Sequence, residues 1–403
     1  MLTYTFEKGS GISLYEQLYR YIRSDILAGT LAAGEKLPSK PALAAHLEVS
    51  VITVKNAYEQ LIAEGSICGV EKRGSYVMRI QQPLTAAAAV KEEPDGEPTE
   101  QTWFMDFVTN STAAEYFPFA TWSKLMRQTI LEQDTKLLRP TPSTGAVELR
   151  QAIAEYLHQF RGMTVSPRQI IVGAGTETLY NLLIQLLGRE KRYAVEDPGY
   201  GKIARIYSSN QVPLRRIALD ESGLSYQALC TADADVVHIS PSHHYPTGIV
   251  MPITRRHELL RWAEQQEGRY ILEDDYDSEF RFVGRPIPTL FSDDEHQNVI
   301  YLNTFSKTIA PSIRISYMLL PPRLLAAYRE KLGFYACTVS SFEQYTLAQF
   351  LSRGHYEQHL NRMRKRYHQK RDAVIDCIRS GALAGRAEIM EQDAGLHFLV
   401  RLH

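Results

Sequence analysis

Two neighbouring stretches decide the fold of most of the chain: RYILEDD (269–275) and NVIYLNTFSK (298–307). Each contains a short and mostly apolar run, as in a strand that is buried on both faces. Asp274 closes the first run, and Lys307 lies just beyond the second, with room for one crossover between the two runs. Adjacent parallel strands would therefore deliver both side chains to one edge of a sheet, where ligands bind in folds of this kind.

Further strand patterns occur on both sides of this pair and alternate with helical patterns. Amphipathic helices are predicted at 176–188 and 254–268. The other buried strand candidates are 169–175, 192–198, 235–242 and 314–321. This alternation predicts an α/β domain with a mostly parallel sheet that is covered by helices on both faces.

The first 80 residues show a different pattern, of three short helices and a hairpin. Apolar residues recur every fourth position over 14–26, and a second short helix is expected at 41–47. Ser50 is a suitable N-cap for a third helix over 51–64. Residues 65–80 resemble two short strands around a basic turn, so the pattern predicts a winged helix-turn-helix. In the third helix we expect four residues on the buried side: Val54, Tyr58, Leu61 and Ile62.

A change of composition separates these two parts. Residues 81–100 read QQPLTAAAAVKEEPDGEPTE, with three prolines, an alanine run and five acids in the last ten positions. The alternative is a long surface loop inside one domain, but the patterns on the two sides differ in kind. We therefore predict a winged-helix domain at 1–80, a linker at 81–103 and a large domain at 104–403.

Charge and composition narrow the classes of function. The 403 residues include 45 basic and 46 acidic side chains, so any electrostatic attraction to nucleic acid or membrane must come from a local group of charges. Apolar runs of about 18 residues and a signal-peptide core are both absent from the sequence, which favours a cytoplasmic protein with no membrane contact. Neither a zinc site nor a disulfide framework is expected from the cysteines, which are scattered singly: Cys68, Cys230, Cys337 and Cys377.

Several reactive or small residues follow the predicted strands of the large domain. GAGTET (173–178) joins a strand to a helix whose free amides suit a phosphate. EDPGY ends in Tyr200, and PSHHYPTG (241–248) follows a further strand. A cofactor with an aldehyde, a phosphate and a pyridine ring needs such groups, namely a lysine, a carboxylate, a phenol, an aromatic ring and a phosphate cradle. Each residue alone is a common surface feature, but their order, one group per strand, is hard to explain by chance.

Two adjacent histidines in the same segment have a competing interpretation as metal ligands. His243 and His244 have no third ligand nearby in the sequence. We therefore expect cofactor-site or packing roles for them, and no metal site.

The residue pattern of the N-terminal part is typical of a DNA-binding domain. Its net charge gives no support either way, because residues 1–80 carry nine basic and eight acidic side chains. The helix after Ser50 would lie in a major groove with Ile52, Thr53, Lys55 and Asn56 near the bases and phosphates. A module that binds protein or only packs is the alternative. The candidate DNA-binding residues are Ser39, Lys40, Thr53, Lys55, Lys72, Arg73 and Gly74.

These residues resemble the GntR-type winged helix over nearly its full length. The shared motifs are the LY-x-Q start, G-x-L-x-x-G-x-x-LPS, LA-x-x-L and TV-x-x-AY-x-x-L-x-x-EG. The resemblance implies binding to double-stranded operator DNA. Pro41 and Val51 depart from it, because the family usually has arginine at the first position and often at the second. The departures predict weaker or differently specified DNA binding.

The remainder, from about residue 104, resembles a fold-type I aminotransferase. Together with the winged helix, the chain resembles the MocR group of GntR regulators, through motifs such as EDDYDSEFRF (273–282) and NTFSKTIAPSIRISY (303–317). The resemblance implies pyridoxal 5′-phosphate as cofactor, Lys307 as its Schiff-base lysine and a homodimer. The other cofactor-binding residues that it implies are Asp274 at the ring nitrogen, Tyr276 at the ring hydroxyl, Tyr200 stacked on the ring, Tyr245 nearby, and Ser306, Arg314, Gly175 and Thr176 at the phosphate.

Two departures bear on function. Aminotransferases usually have asparagine where Tyr245 precedes Pro-Thr-Gly, whereas an aromatic residue is common in the MocR group, which favours a regulator over an enzyme. The sequence stops at AGLHFLVRLH (394–403), whereas relatives continue to an arginine that binds a carboxylate, so we expect a truncated chain or an incomplete small subdomain.

We predict a regulator whose DNA binding is modulated by pyridoxal 5′-phosphate or an amino-compound effector. The alternatives are an aminotransferase with an accessory DNA-binding domain, and a defective relative that binds DNA constitutively.

Overall fold

The structure, a computed structural model, describes residues 2–7, 11–70, 73–79, 114–282 and 287–403. The chain divides into two compact units, Met1–Met105 and Asp106–His403. The predicted linker at 81–103 lies outside the described residues, so the domain boundaries stay a prediction. Among the helices in the described ranges, none combines the length and the apolar character that crossing a membrane requires.

The N-terminal unit has the winged-helix order of three helices and a hairpin. These elements are α1 (Leu14–Ala28), α2 (Lys40–His46), α3 (Val51–Ala63), β1 (Ile67–Val70) and β2 (Gly74–Val77). The two strands pair antiparallel, and an isolated bridge between Lys36 and Tyr76 extends the hairpin. Ser50 caps α3 as expected, because its Oγ accepts the Thr53 N–H at 3.0 Å.

The buried face of α3 differs in one position from the predicted one. The prediction is confirmed for Val54, Tyr58 and Leu61, but it is wrong for Ile62, which is 40% exposed. Ala57 is buried in its place. The residues at 54, 57, 58 and 61 follow the i, i+3, i+4, i+7 spacing of one helix face, and position 62 falls at the edge of that face.

The larger unit contains an eight-stranded sheet in the order β3-β10-β9-β8-β7-β4-β5-β6. Its strands are β3 (Ile170–Ala174), β4 (Tyr193–Asp197), β5 (Leu214–Asp220), β6 (Gly223–Leu224), β7 (Val236–Ile239), β8 (Tyr270–Asp274), β9 (Val299–Thr304) and β10 (Ile315–Leu319). The central strands β5, β4, β7, β8 and β9 are parallel to one another, whereas β10 is antiparallel to both of its neighbours. The expected neighbours β8 and β9 are adjacent and parallel.

Helices cover both faces of this sheet. They are α4 (Phe119–Glu132), α5 (Asp134–Leu137), α6 (Val147–Arg161), α7 (Thr176–Leu187), α8 (Gly201–Ser209), α9 (Tyr226–Thr231), α10 (Ile253–Glu264), α11 (Leu290–Asp293), α12 (Leu325–Leu332), α13 (Ser341–Ser352) and α14 (His355–Ser380). A second, small sheet pairs β11 (Ala387–Met390) with β12 (Leu399–Leu402). Alternate residues of β10 enter different cores: Tyr317 packs with α6 and α13, and Met318 packs with α7 and α12. This alternation is what a sheet between two helical layers requires.

Candidate functional site

A cavity of about 190 Å³ lies at the carboxyl ends of β8 and β9. It brings together eight of the nine predicted cofactor residues, and the ninth, Gly175, directly precedes the lining residue Thr176. The eight are Thr176, Tyr200, Tyr245, Asp274, Tyr276, Ser306, Lys307 and Arg314. The positions agree with the expected sheet edge, and the role of each residue stays a prediction.

Asp274, the last residue of β8, is buried and has one carboxylate oxygen bonded and the other free. The Tyr180 hydroxyl donates to Oδ2 at 2.5 Å, and His238 Nε2 lies 3.5 Å from the same oxygen. The other ring nitrogen of His238, Nδ1, lies 2.8 Å from the Tyr207 hydroxyl. Asp274 Oδ1 is buried and has no hydrogen-bond partner among the described residues. An acceptor left in this state is costly unless a donor reaches it, so Oδ1 fits a ligand N–H.

Sequence reasoning missed Tyr180, Tyr207 and His238. A weak signal existed for His238, because it interrupts the apolar run of β7 and its Nδ1 and Nε2 would need partners there. Tyr180 lies one helical turn after Thr176 on α7, so its position on the face toward the sheet was readable only once α7 had been placed.

The N-terminus of α7 is built as an open anion cradle. Gly175 precedes the helix with φ 86° and ψ 162° and provides no side-chain cap. This backbone conformation strains any residue with a Cβ, and a Cβ here would also stand 2.3 Å from Arg314 Nη2, so the guanidinium would have to move. Free helix amides beside a guanidinium form a site for phosphate. Ser306 adds a buried Oγ that has no partner among the described residues.

A carboxylate from the chain itself lies in this cradle. Glu177 Oε2 accepts a hydrogen bond from Arg314, and its Oε1 accepts one from Lys202. Burial alone would raise the pKa of Glu177, but the two cations outweigh it and hold the pKa below its usual value. Arg314 is therefore already neutralised in part before any phosphate arrives. This pairing across 137 positions was not predicted.

Lys307 and Tyr276 line the same cavity as Asp274 and Arg314. Burial lowers the pKa of Lys307, and the nearby Asp277 opposes that shift. The Tyr276 hydroxyl donates to the His243 carbonyl at 2.9 Å, and burial raises its pKa well above the usual range. Lys307 thus carries an amine that loses its proton more readily, and the phenol of Tyr276 stays protonated.

Beside Tyr276, the fold brings two possible ligands that are distant in the sequence close to His243, although not to His244 as part of the same group. His243, Asp277 and His397 each present a possible ligand atom, and these atoms lie within 4.8 Å of one another. Hydrogen bonds account for part of the cluster, because Asp277 Oδ2 lies 2.9 Å from His243 Nδ1 and accepts the Leu396 N–H at 3.0 Å. That no metal binds here stays a prediction.

In the N-terminal unit, the candidate DNA residues lie on α2, α3 and the hairpin turn. Ser39 caps α2, its Oγ being 3.4 Å from the Ala42 N–H, and Thr53 lies in the first turn of α3. Lys55 is exposed, with its Nζ 3.7 Å from Glu59. The half-buried Lys40 begins α2, and the exposed Arg73 and Gly74 lie at the hairpin turn. Lys72 lies outside the described residues.

Comparisons with known proteins match both units. The family of bacterial regulatory proteins of the gntR type matches residues 14–77, and the family of class I and II aminotransferases matches residues 108–402. The chain is similar to the multiple substrate aminotransferase of Thermococcus profundus, at 25% identity and a TM-score of 0.65, over 73% of this chain and 75% of that one. The class I and II aminotransferase family is dependent on pyridoxal 5′-phosphate.

Regulators match over nearly the whole length. YdeL of Bacillus subtilis, an uncharacterized HTH-type transcriptional regulator, is 38% identical over 97% of this chain and 84% of its own. The probable rhizopine catabolism regulatory protein MocR of Rhizobium meliloti is 31% identical over 98% of this chain and 83% of its own. GntR-type helix-turn-helix regulators bind operator DNA. The chain therefore belongs to the MocR-like transcriptional regulators, in which a GntR-type winged helix is joined to a domain of the class I and II aminotransferase family.

Proposed function

We propose that this regulator binds operator DNA through its winged helix and that pyridoxal 5′-phosphate, or an amino compound that exchanges with it, controls this binding from the cavity at Lys307. One observation carries the proposal: among the described residues, no donor reaches the buried Oδ1 of Asp274, while Tyr180 donates to the other oxygen at 2.5 Å. A protonated pyridine nitrogen supplies the missing donor. The residues present therefore fit this cofactor.

Each polar group of the cofactor has a matching group in the cavity. Asp274 would hold the proton at the ring nitrogen, and Tyr276 would hold the ring hydroxyl, in competition with its present bond to His243. The amides that follow Gly175, together with Ser306 and Arg314, would bind the phosphate. When bound, pyridoxal 5′-phosphate supplies an aldehyde that reacts with amines and a ring that withdraws electrons.

Lys307 is the amine suited to that aldehyde. Burial lowers the pKa of its ammonium group, so a larger fraction is neutral and nucleophilic near neutral pH. Tyr200 and Tyr245 line the same cavity with their rings edge to face, 5.6 Å apart, so they would shield the cofactor ring from water.

We propose a homodimer as the working assembly. Several large apolar side chains of the second unit are at least 75% exposed, namely Leu131, Leu138 and Phe334. Contact with a second copy of the chain would remove these side chains from water. Light scattering should give a mass of twice the chain, and a monomer at micromolar concentration would contradict this part of the proposal.

A two-ligand titration tests the proposal. The operator is first obtained by selecting tight-binding duplexes from a random library, and its affinity is then measured by fluorescence anisotropy with and without pyridoxal 5′-phosphate. We expect the affinity to change by about fivefold or more, and by reciprocity the operator must change the cofactor's affinity by the same factor.

The Lys307→Ala variant should bind the operator without responding to the cofactor, and Lys365→Ala, an exposed position on α14, should respond like the unmodified protein. An operator affinity that stays constant at saturating cofactor would contradict the proposed control. Rapid multiple turnover with an amino donor and a keto acceptor would instead indicate an aminotransferase that carries a DNA-binding domain.

A further inference from the structure

The first turn of α3 exposes two consecutive aliphatic side chains. Val51 is 48% exposed and Ile52 is 68% exposed, whereas the core-facing residues of the same helix are fully buried. A single exposed aliphatic residue needs no explanation. Val51 and Ile52 are consecutive, and they lie at the N-terminal end of the helix that a winged-helix domain presents to DNA. Together they form an exposed apolar surface that lies outside the core of this unit.

The polar groups around this surface are partly engaged. The Ser50 hydroxyl accepts the Thr53 N–H at 3.0 Å and pairs with the Thr53 hydroxyl at 2.8 Å. Lys55, one turn further along, lies 3.7 Å from Glu59. The tip of α3 therefore offers mainly methyl and methylene groups to a partner, and the same unit carries cationic residues on α2, α3 and the hairpin turn.

The major groove of DNA presents one apolar group to a protein, the C5-methyl of thymine. Guanine is read by arginine or lysine with two hydrogen bonds, and Val51 and Ile52 can make none. Lys40, Lys55 and Arg73 of the same unit suit the phosphates of the DNA backbone. An apolar helix tip in a unit that carries these cations is thus complementary to duplex DNA that carries thymine at the positions the tip faces.

We propose that Val51 and Ile52 recognise thymine methyl groups in the operator, so that each half-site has A·T pairs where α3 enters the major groove. This inference rests on the proposed DNA-binding function and adds the base that the helix selects. Ile52, the more exposed of the two, makes the larger contribution.

Uracil substitution isolates this contact, because uracil differs from thymine only by the lack of the methyl group. The full-length protein is used to select tight-binding duplexes from a random library, and each thymine of the selected duplex is replaced in turn by uracil. We expect one or two thymines per half-site at which the replacement weakens binding about fourfold, as expected for one buried methyl group.

The Ile52→Ala variant should bind the thymine and uracil duplexes almost equally at one of these positions. Ile62→Ala is the matched control, since Ile62 is a partly exposed isoleucine at the other end of the same helix, and it should keep the full uracil effect. Circular dichroism shows whether both variants are folded. Because Ile52 is exposed, its replacement leaves the core of the unit intact.

The outcomes separate the two proposals. If a duplex is selected but no uracil replacement weakens binding, the thymine inference is wrong and the DNA-binding function stands. An equal uracil effect in the unmodified protein and in Ile52→Ala assigns the methyl to another side chain and also overturns the inference. A changed oligomeric state of Ile52→Ala with unchanged DNA affinity identifies a protein interface instead. If no duplex is enriched, the proposed function fails, and the inference fails with it.

Discussion

The N-termini of α3 and α7 belong to different units and begin in opposite ways. The start of α3 is closed by its own sequence, because Ser50 accepts the Thr53 N–H at 3.0 Å. The start of α7 has no such cap, because Gly175 has no side chain that could accept a hydrogen bond from the first amides of the helix. A closed terminus presents side chains to its partner, and an open terminus presents backbone donors.

This difference matches the two ligands that we propose. Bases are distinguished by side chains that reach their edges, which requires a rigid and self-satisfied helix tip. A phosphate is the same in every cofactor molecule, and backbone amides with one guanidinium are enough to hold it. Under these proposals, the same secondary-structure element would serve specificity in one unit and anchoring in the other.

The largest effect should come from closing the open terminus. Gly175→Ala places a methyl group where Arg314 now lies and forces a backbone conformation that only glycine adopts readily, at a cost of about 1–3 kcal/mol. We expect the affinity for pyridoxal 5′-phosphate to fall at least about tenfold, measured by the change in absorbance on titration. Operator binding in the absence of cofactor should be unchanged. An unaltered cofactor affinity would show that the amides of α7 do not hold the phosphate.

A smaller effect is expected from opening the closed terminus. Ser50→Ala removes the cap of α3 and should lower the free energy of unfolding of the N-terminal unit by about 1 kcal/mol. Operator affinity should fall with it, while cofactor affinity stays the same. Chemical denaturation followed by circular dichroism measures the first quantity, and anisotropy measures the second. Ser123→Ala on α4, outside both termini, should change neither.

Removing the Glu177 carboxylate should strengthen the binding of the cofactor phosphate at the N-terminus of α7. Glu177→Gln releases Arg314 from its present partner and removes a negative charge close to the incoming phosphate. Because Glu177 is partly exposed, solvent screens the effect, and we expect cofactor binding to tighten only about threefold. A fluorescence titration measures this change. Weaker binding in the variant would mean that Glu177 contributes to the site and does not compete with the phosphate.

The smallest effect is expected from inorganic phosphate, which can be used to compare the N-termini of α3 and α7. At an ionic strength held constant with chloride, inorganic phosphate should compete with the cofactor at α7, and in the absence of cofactor it should leave operator binding unaffected. Paired titrations at equal ionic strength test this. Equal competition at both sites would remove the distinction between the termini.

Much of the fold was readable from the sequence because it depends on local patterns. The six strands predicted from apolar runs are present, and Ser50 caps α3 as predicted. The strand β5 was missed, because only Ile217 of its core-facing residues is fully buried and the strand lacks a continuous apolar run. The paired strands β11 and β12 were missed for the same reason, since neither has a buried residue.

The residues of the candidate site could be predicted from the sequence, but the contacts between them could not. Asp274, Lys307 and Tyr200 follow predicted strands, so their presence at one edge could be inferred from topology. The contact of Tyr180 with Asp274 spans 94 positions, and that of Glu177 with Arg314 spans 137. Such pairs depend on how α7 packs on the sheet, which local patterns do not encode.

Borohydride reduction after incubation with pyridoxal 5′-phosphate, followed by peptide mapping, tests whether the cofactor binds at Lys307. We predict one cofactor per chain, attached to Lys307, and no attachment in the Asp274→Asn variant at low cofactor concentration, because its buried oxygen no longer bears the charge that holds the ring nitrogen's proton. Lys202 lines the same cavity and is the internal control for nonspecific reaction. Labelling of Lys202 and other lysines in equal measure, with Lys307 unmodified, would contradict the account.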